Sequence, residues 1–215
     1  PPWTSATAQA SPAGTPKFLD QAYQARDAAA TRALYDNWAA SYEAEVAENG
    51  YATPARCADA LKAHVDNLAD PILDFGCGTG LSGLALKLAG FAAIDGVDLS
   101  AEMLAEARAK GAYRDLQQIE AGADLPRSDY TAIAAIGVIG AGAAPIDVLH
   151  QLMRALPQRG KLVFTFNDHA LEDPENMRGV SEWTDCGAAI LLFKEHGAHL
   201  PGINLGSSVY VLEKA

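Results

Sequence analysis

The sequence is poor in several features that define particular classes of protein. It has three cysteines in 215 residues, Cys57, Cys77 and Cys186, and no two of them form a C-x-x-C pair. An odd count without such a pair argues against a disulfide framework or a zinc site and favours a reducing compartment. No apolar run approaches the ~20 residues of a membrane-spanning helix. We therefore expect a cytoplasmic globular protein without a metal centre or a membrane partner.

Basic residues are also scarce. Lys and Arg total 16 against 27 Asp and Glu, which gives a formal net charge of -11. A negative surface repels the phosphate backbone of nucleic acids. The composition therefore favours a small-molecule partner over a nucleic acid, and it says nothing about oligomeric state.

The first third of the chain differs from the rest. Residues 1–16 are rich in Ala, Pro, Ser and Thr, which predicts a flexible tail. Residues 17–215 are expected to form a single domain, with a helical lid or cap region over residues 17–68 and a core over residues 69–215. Within the helical region, Thr53 is expected to cap a second helix that has Pro54 at its first position.

From residue 69 onward, short apolar runs alternate with helical segments. Five predicted strands are followed by two strands, Ala188–His196 and Ser207–Lys214, with no helix between them. Alternation predicts parallel strands with right-handed crossovers and helices on both faces, and the closing pair predicts an antiparallel edge. The expected fold is a Rossmann-like α/β sheet of seven mostly parallel strands, with a helical N-terminal extension.

A glycine-rich turn follows the first predicted strand, in the segment Asp74-Phe75-Gly76-Cys77-Gly78-Thr79-Gly80. In open α/β sheets, ligands bind beyond the carboxyl ends of the strands. Glycine lets the backbone approach a ligand, and free N–H groups at the start of the next helix favour an anion. Residues 78–83 fit G-x-G-x-x-G, and Asp98 lies 18 residues beyond Gly80, where a ribose-binding acid is expected. On this spacing alone, an NAD-dependent oxidoreductase is one of the possible functions.

Three features favour S-adenosylmethionine (SAM) over a dinucleotide. The Asp74 carboxylate would attract the ammonium of SAM and repel a pyrophosphate. A substantial helical segment precedes the first strand, and the closing strand pair does not fit a doubly wound dinucleotide sheet.

Two segments resemble the class I SAM-dependent methyltransferases. They are the glycine-rich loop from Asp74 to Gly80 and the segment Gly96-Val97-Asp98-Leu99-Ser100 with Met103-Leu104. Further blocks resemble the methyltransferase-like proteins of the Williams–Beuren critical-region type: Tyr35–Ala39 with Tyr42-Glu43, Gly90-Phe91, Lys110–Tyr113 and His199–Gly202. The resemblance covers about residues 35 to 214. It implies seven strands with the last antiparallel, SAM as cofactor and S-adenosylhomocysteine (SAH) as product.

The resemblance also implies a set of cofactor-binding residues. The methionine end of SAM would lie on Asp74 and the glycine loop, and the ribose hydroxyls would donate hydrogen bonds to Asp98. Glu120 would receive the adenine amino group, with Asp124 as the alternative. Gly137 would lie along the ligand, and Tyr35, Trp38 and Tyr42 could close over it as a lid. The full implied set is Asp74, Gly76, Cys77, Gly78, Gly80, Asp98, Leu99, Met103, Glu120, Ala121, Ile136 and Tyr42.

The sequence offers little acid–base chemistry. Methyl transfer needs an aligned nucleophile at about 3–3.5 Å, and a base only if that nucleophile starts protonated. Members of the resembled family often carry His after the fourth strand, but this chain has small residues over 140–145. The remaining candidates are Asn167, Asp168 and His169, for which helix capping is an equal alternative.

Two later histidines, His196 and His199, lie near the turn between the last two strands and are expected to be solvated. The sequence therefore predicts a SAM-dependent methyltransferase acting on an unidentified small molecule. A non-catalytic SAM-binding protein is the alternative, and an NAD-dependent oxidoreductase is a weaker one.

Overall fold

The structure is a computed structural model that describes residue 21, residues 27–140 and residues 142–215. The tail expected over residues 1–16 and most of residues 17–26 lie outside this part. Two helices precede the sheet, α1 (Ala28–Glu48) and α2 (Thr53–Lys62). The Asp27 carboxylate caps α1 by accepting a hydrogen bond of 2.8 Å from the Ala30 amide. Gly50, with φ of 71°, turns the chain between the two helices.

Thr53 does not cap α2. Ala52 occupies the cap position, and Thr53 is the first residue of the helix. The Thr53 hydroxyl lies 2.7 Å from His199 Nδ1 and 3.1 Å from Ser207 Oγ. The predicted cap is wrong because tertiary partners occupy the hydroxyl that would have bonded the backbone of the helix.

The remainder of the described chain alternates strands with helices. The strands are β1 (Pro71–Phe75), β2 (Ala93–Asp98), β3 (Asp115–Gln118), β4 (Ala132–Ala135), β5 (Lys161–Asn167), β6 (Ala189–Leu200) and β7 (Leu205–Lys214). The helices are α3 (Leu81–Ala89), α4 (Ala101–Ala109), α5 (Asp147–Ala155), α6 (Asp168–Leu171) and α7 (Pro174–Asp185), and a 3-10 turn (Pro201–Ile203) joins β6 to β7. Ser100 caps α4 by accepting from the Met103 amide, at 3.1 Å.

The sheet has the strand order β3-β2-β1-β4-β5-β7-β6. Strands β1 to β5 are parallel, and β7 is antiparallel to both β5 and β6. The predicted seven-stranded sheet with an antiparallel last strand is confirmed. The predicted antiparallel edge is also confirmed, because the closing pair of strands forms one end of the sheet, with β6 outermost and β7 between β6 and β5. Strand β7 is buried over most of its length whereas β6 is largely exposed, so β7 takes the position covered on both sides.

Successive residues of a strand face opposite sides, and each side of this sheet carries its own apolar layer. Helices α5 and α7 cover the side that includes Phe164 and Phe166, and α2 and α3 cover the side that includes Ile72 and Val163. The ring of Phe164 stacks on Tyr210 with centroids 5.0 Å apart. Helices therefore lie on both faces, as predicted.

A third apolar cluster attaches α1 to the rest of the fold. Trp38, Ala39 and Val46 of α1 pack against Met103 of α4 and Leu200 of β6. Helix α1 thereby lies along the carboxyl-terminal edge of the sheet, where open α/β sheets bind ligands. Within the described residues, no helix combines the length and the hydropathy needed to cross a membrane.

The burial of Phe164 predicts a large effect on stability. Phe164 is fully buried, so Phe164→Ala should lower the free energy of unfolding by about 3–5 kcal/mol through lost contacts and a cavity. Leu88 of α3 is 79% exposed, and Leu88→Ala should change it by about 0.5 kcal/mol or less. Urea unfolding of both variants measures the difference. Equal losses would contradict the described core.

Candidate active site

A cavity of about 560 Å³ opens between α1 and the carboxyl-terminal edge of the sheet. Its walls come from the glycine loop, the end of β2, the segments after β3 and β4, and α1. The expected cofactor residues that line it are Tyr42, Gly76, Cys77, Gly78, Asp98, Leu99, Glu120, Ala121 and Ile136, and Gly137 lines it with them. Asp74, Gly80 and Met103 do not reach its surface.

The three glycines of the loop have different roles. Gly76, Gly78 and Gly80 all have positive φ, at 69°, 54° and 91°. A Cβ on Gly76 would lie 2.5 Å from Val138 Cγ2, whereas a Cβ on Gly78 would meet nothing within 4 Å. Gly76 therefore allows close packing, and Gly78 exposes bare backbone to the cavity. Gly80 occupies the N-cap position of α3 behind the loop.

Asp98 is fixed by two backbone amides. Its Oδ2 accepts a hydrogen bond from Gly78 N at 2.8 Å, and its Oδ1 accepts one from Ser100 N at 2.9 Å. Burial raises the pKa of Asp98, and these two amides oppose that rise because they stabilise the ionised form. Each oxygen retains a further acceptor position. The carboxylate can therefore accept hydrogen bonds from two neighbouring hydroxyl groups in the cavity.

Asp74 lies one layer behind the cavity surface and not on it. Its Oδ2 accepts hydrogen bonds from Ser82 Oγ at 2.6 Å and from the Tyr113 hydroxyl at 2.8 Å. Its Oδ1 has no hydrogen-bond partner among the described residues. Burial raises the pKa of Asp74 to about 6. Ser82 lines the cavity, so the structure places Ser82 between the cavity and the carboxylate that was expected to meet the ligand directly.

Tyr113 is a structural partner of the loop, a role that the sequence patterns did not predict. Its hydroxyl accepts a hydrogen bond from Gly83 N at 3.0 Å. A Cβ on Gly83 would lie 2.1 Å from Tyr113 Cζ. The last glycine of the G-x-G-x-x-G spacing therefore makes room for this ring, and Tyr113 joins Asp74 to the start of α3.

The segment after β3 forms the far end of the cavity. Glu120 lines it and forms an ion pair with Arg32 of α1, with 2.6 Å between Oε2 and Nη2. Asp124 is exposed and does not line the cavity, so its position favours Glu120 over the alternative. Met103, expected among the cofactor-binding residues, is 1% exposed and packs against α1 because that face of α4 points towards Trp38.

A smaller compartment of about 70 Å³ adjoins the main cavity. Four aromatic residues, Tyr35, Trp38, Tyr42 and Tyr51, and three polar ones, Thr165, Asn167 and His199, are among its lining residues. Tyr35, Tyr42, Tyr51 and Gly137 line both spaces, so the two lie side by side. The three aromatic residues expected as a lid therefore lie here, with Trp38 in the smaller compartment alone.

The candidates after β5 act mainly in the structure of the fold. Asn167 lines the smaller compartment, but its Oδ1 caps α6 by accepting from Ala170 N at 2.9 Å. Asp168 accepts from Gly206 N at 2.7 Å and lies 2.8 Å from His196 Nε2. Asp168 and His169 line neither space. The geometry thus favours the capping alternative for Asn167 and places the other two outside the site.

The expectation that His199 is solvated is wrong. His199 is 8% exposed and lines the smaller compartment, because β6 extends beyond the predicted strand and carries it under α1. Its partner Thr53 is 146 residues away in the chain, so no local pattern marks the pair. Among the described His, Cys, Asp and Glu side chains, no group of three or more is arranged to hold a metal ion.

Comparisons with known proteins agree with this architecture. Residues 72–160 match the family model described as a methyltransferase domain. Methyltransferase-like protein 27 of Homo sapiens is 32% identical over 124 residues, which cover 55% of this chain and 51% of that protein. The matched part thus spans about half the length of that relative.

Solved structures show the same fold at low sequence identity. Magnesium protoporphyrin IX methyltransferase from Synechocystis, solved with bound SAH, aligns with a TM-score of 0.64 and 14% identity over 88% of this chain and 100% of that one. The [4+2]-cyclase SpnF aligns with a TM-score of 0.56 and 17% identity over 74% of this chain and 81% of that one. The chain therefore has the fold of the class I SAM-dependent methyltransferases, and residues 72–160 are similar to a methyltransferase domain.

Proposed function

We propose that this chain binds SAM and transfers its methyl group to a small molecule. The observation that carries the proposal is the Asp98 carboxylate, fixed by the amides of Gly78 and Ser100 at the wall of a cavity. A pair of vicinal hydroxyls is the group that such a carboxylate suits. The methyltransferase-domain match over residues 72–160 supports SAM as the nucleoside that carries them.

The lining residues divide into parts that fit the three parts of SAM. The backbone of Gly76 and Gly78 would hold the methionine end, with Ser82 beside it and the Asp74 charge behind. Asp98 would accept hydrogen bonds from the ribose hydroxyls, and Leu99, Glu120 and Ala121 would surround the adenine.

SAM, once bound, supplies a methyl group on an already activated carbon. The chain then has to exclude water and align an acceptor, which is where much of the acceleration arises.

The acceptor is proposed to enter along the segment after β4. Gly140 and residues 142–145 line the cavity and have small or apolar side chains, which leave room for a second molecule. The narrower assignment, to proteins of the Williams–Beuren critical-region type, is also a proposal. The 32% identity to the human methyltransferase-like protein supports it, together with the sequence blocks around Tyr35 and His199.

The geometry bears differently on two other functions, an oxidoreductase and a non-catalytic SAM-binding protein. Strand β7 lies antiparallel inside the sheet, unlike the dinucleotide fold, and a buried carboxylate behind the loop disfavours a pyrophosphate, so the geometry does not favour an oxidoreductase. A non-catalytic SAM-binding protein is the second candidate, because residues 142–145 offer no acid or base. The fold alone does not show whether the chain catalyses methyl transfer, since a [4+2]-cyclase has a similar fold.

Substitutions at the ribose and adenine ends test the nucleoside site. Asp98→Ala should weaken SAH binding by at least about 100-fold, because it removes two charge-assisted hydrogen bonds of about 1.5–3 kcal/mol each. Glu120→Ala should weaken it about 10-fold through one such bond. Asp124→Ala, the matched control outside the cavity, should stay within about twofold of the parent. Isothermal titration calorimetry measures all three dissociation constants.

Unchanged SAH affinity in Asp98→Ala would reject this site. Saturable binding of NADH with no binding of SAH would instead favour the oxidoreductase. Tight SAH binding without methyl transfer to a broad panel of acceptors would favour the non-catalytic candidate.

The raised pKa of Asp74 predicts a pH dependence of binding. The ammonium of SAH favours the ionised carboxylate, so binding should lower the pKa of Asp74 from about 6 and release a proton. SAH affinity should therefore rise as the pH increases from about 5 to 7. Titrations in buffers of different ionisation enthalpy measure the released proton.

Asp74→Asn is the control for this dependence, since it retains the shape of the side chain without the charge. SAH affinity in this variant should be weaker at pH 7 and flat across the same pH range.

In unliganded protein, the raised pKa of Asp74 stabilises the fold most at low pH. The stability of the parent relative to Asp74→Asn should therefore fall as the pH rises through about 6. An identical pH dependence in both proteins would show that the Asp74 charge does not act on the ligand.

A further inference from the structure

The smaller compartment contains a buried histidine to which the proposed function assigns no role. The ring of His199 lies edge-on to Tyr51, with centroids 5.4 Å apart and planes at 88°. Its Nδ1 is 2.7 Å from Thr53 Oγ1. Its Nε2 makes no hydrogen bond within the described residues, although His199 lines the compartment. The imidazole nitrogen Nε2 is therefore available to form a hydrogen bond with a molecule bound in the compartment.

A chain of hydrogen bonds fixes the orientation of this ring. Thr53 Oγ1 lies 3.1 Å from Ser207 Oγ, and Arg56 Nη1 donates to Ser207 Oγ at 3.2 Å. A guanidinium can only donate, so the Ser207 oxygen accepts. The Thr53 hydroxyl has one proton, which goes either to His199 Nδ1 or to Ser207 Oγ. In the second arrangement the Thr53 oxygen accepts from the Nδ1–H of His199. That tautomer leaves Nε2 as an acceptor.

The surroundings keep the ring neutral at pH 7. Burial lowers the pKa of His199 to about 4; the Arg56 charge also lowers it, and the Asp168 charge raises it. In the tautomer with its proton on Nδ1, the neutral imidazole offers Nε2 as its one acceptor atom.

The compartment suits an uncharged partner. Its described lining residues include four aromatic rings and contain no Asp, Glu, Lys or Arg. A charged acceptor group would lose its hydration there without gaining an ion partner. An uncharged hydroxyl on an aromatic body would find rings to pack against and a nitrogen acceptor for its proton. Gly137 borders both spaces, so this hydroxyl would lie next to the nucleoside site.

We propose that the methyl acceptor is an uncharged hydroxyl compound and that His199 Nε2 takes the hydroxyl proton during transfer. This inference rests on the proposed function. An oxygen lone pair forms the bond to the methyl carbon, the carbon–sulfur bond breaks with its electron pair moving to sulfur, and the O–H pair stays on oxygen as the proton passes to Nε2. The hydroxyl becomes strongly acidic as the carbon–oxygen bond forms, so a weakly basic imidazole is sufficient.

Nuclear magnetic resonance of the intact chain tests the contact without relying on activity. Protein with ¹⁵N-labelled histidine is saturated with SAH and titrated with phenol, a small uncharged hydroxyl probe. The His199 Nε2 resonance should have the position of an unprotonated nitrogen and should move as phenol donates to it. Benzoate, the charged control of similar shape, should leave it in place. A protonated Nε2, or one that phenol does not move, overturns the proposal.

Methyl transfer from labelled SAM to phenol supplies the second readout. His199→Gln should lower kcat about 100-fold or more while the SAH dissociation constant stays unchanged. His196→Gln is the matched control, since His196 is exposed on the same strand, and it should retain the parental kcat. Thr53→Val should lower kcat less than His199→Gln does. It removes the hydrogen bond that orients the His199 ring but retains Nε2.

The other outcomes of these experiments overturn either the role of His199, the class of methyl acceptor or the proposed function. Parental kcat in His199→Gln, or a parallel loss of SAH affinity, shows that His199 is merely structural. A wild-type protein that binds SAH and leaves phenol unmethylated overturns the assignment of the acceptor. A protein that does not bind SAH at all rejects the proposed function itself, which distinguishes the two failures.

Discussion

The site depends on one interaction, the pair of hydrogen bonds that two backbone amides donate to the Asp98 carboxylate. Gly78 belongs to the turn after β1 and Ser100 to the cap of α4, so a single side chain ties two neighbouring strand ends together. Burial raises the pKa of Asp98, and the same bonds oppose that rise. Because the carboxylate oxygens that accept hydrogen bonds are fixed before a ligand arrives, binding does not need to order them.

The two spaces in this fold come from different parts of the chain. The loop, Asp98 and Glu120 lie within residues 72–160, the part that matches the methyltransferase-domain model. The smaller compartment takes most of its lining from outside that range, from α1, Tyr51, the end of β5 and His199. The family match over residues 72–160 therefore leaves out most of the residues that line the smaller compartment.

Local patterns predicted much of this structure. Alternation of strands and helices gave the sheet and its two covered faces, and the loop with Asp98 gave the position of the cavity. Local patterns did not predict that β7 lies inside the sheet, because its position depends on which other elements cover its two buried faces. The roles of His199 and Tyr113 were missed for a related reason. Each has partners far away in the chain, Thr53 in one case and Asp74 in the other, and tertiary contacts of this kind leave no periodic signal.

A crystal structure of the chain with SAH tests the central claim most directly. The account predicts that both ribose hydroxyls lie about 2.6–3.0 Å from the Asp98 carboxylate oxygens while the bonds to Gly78 and Ser100 persist. It also predicts that the sulfur points towards Gly137, beside the compartment that contains His199. A nucleoside bound elsewhere in the cavity, with Asp98 contacting only its two amides, would contradict it.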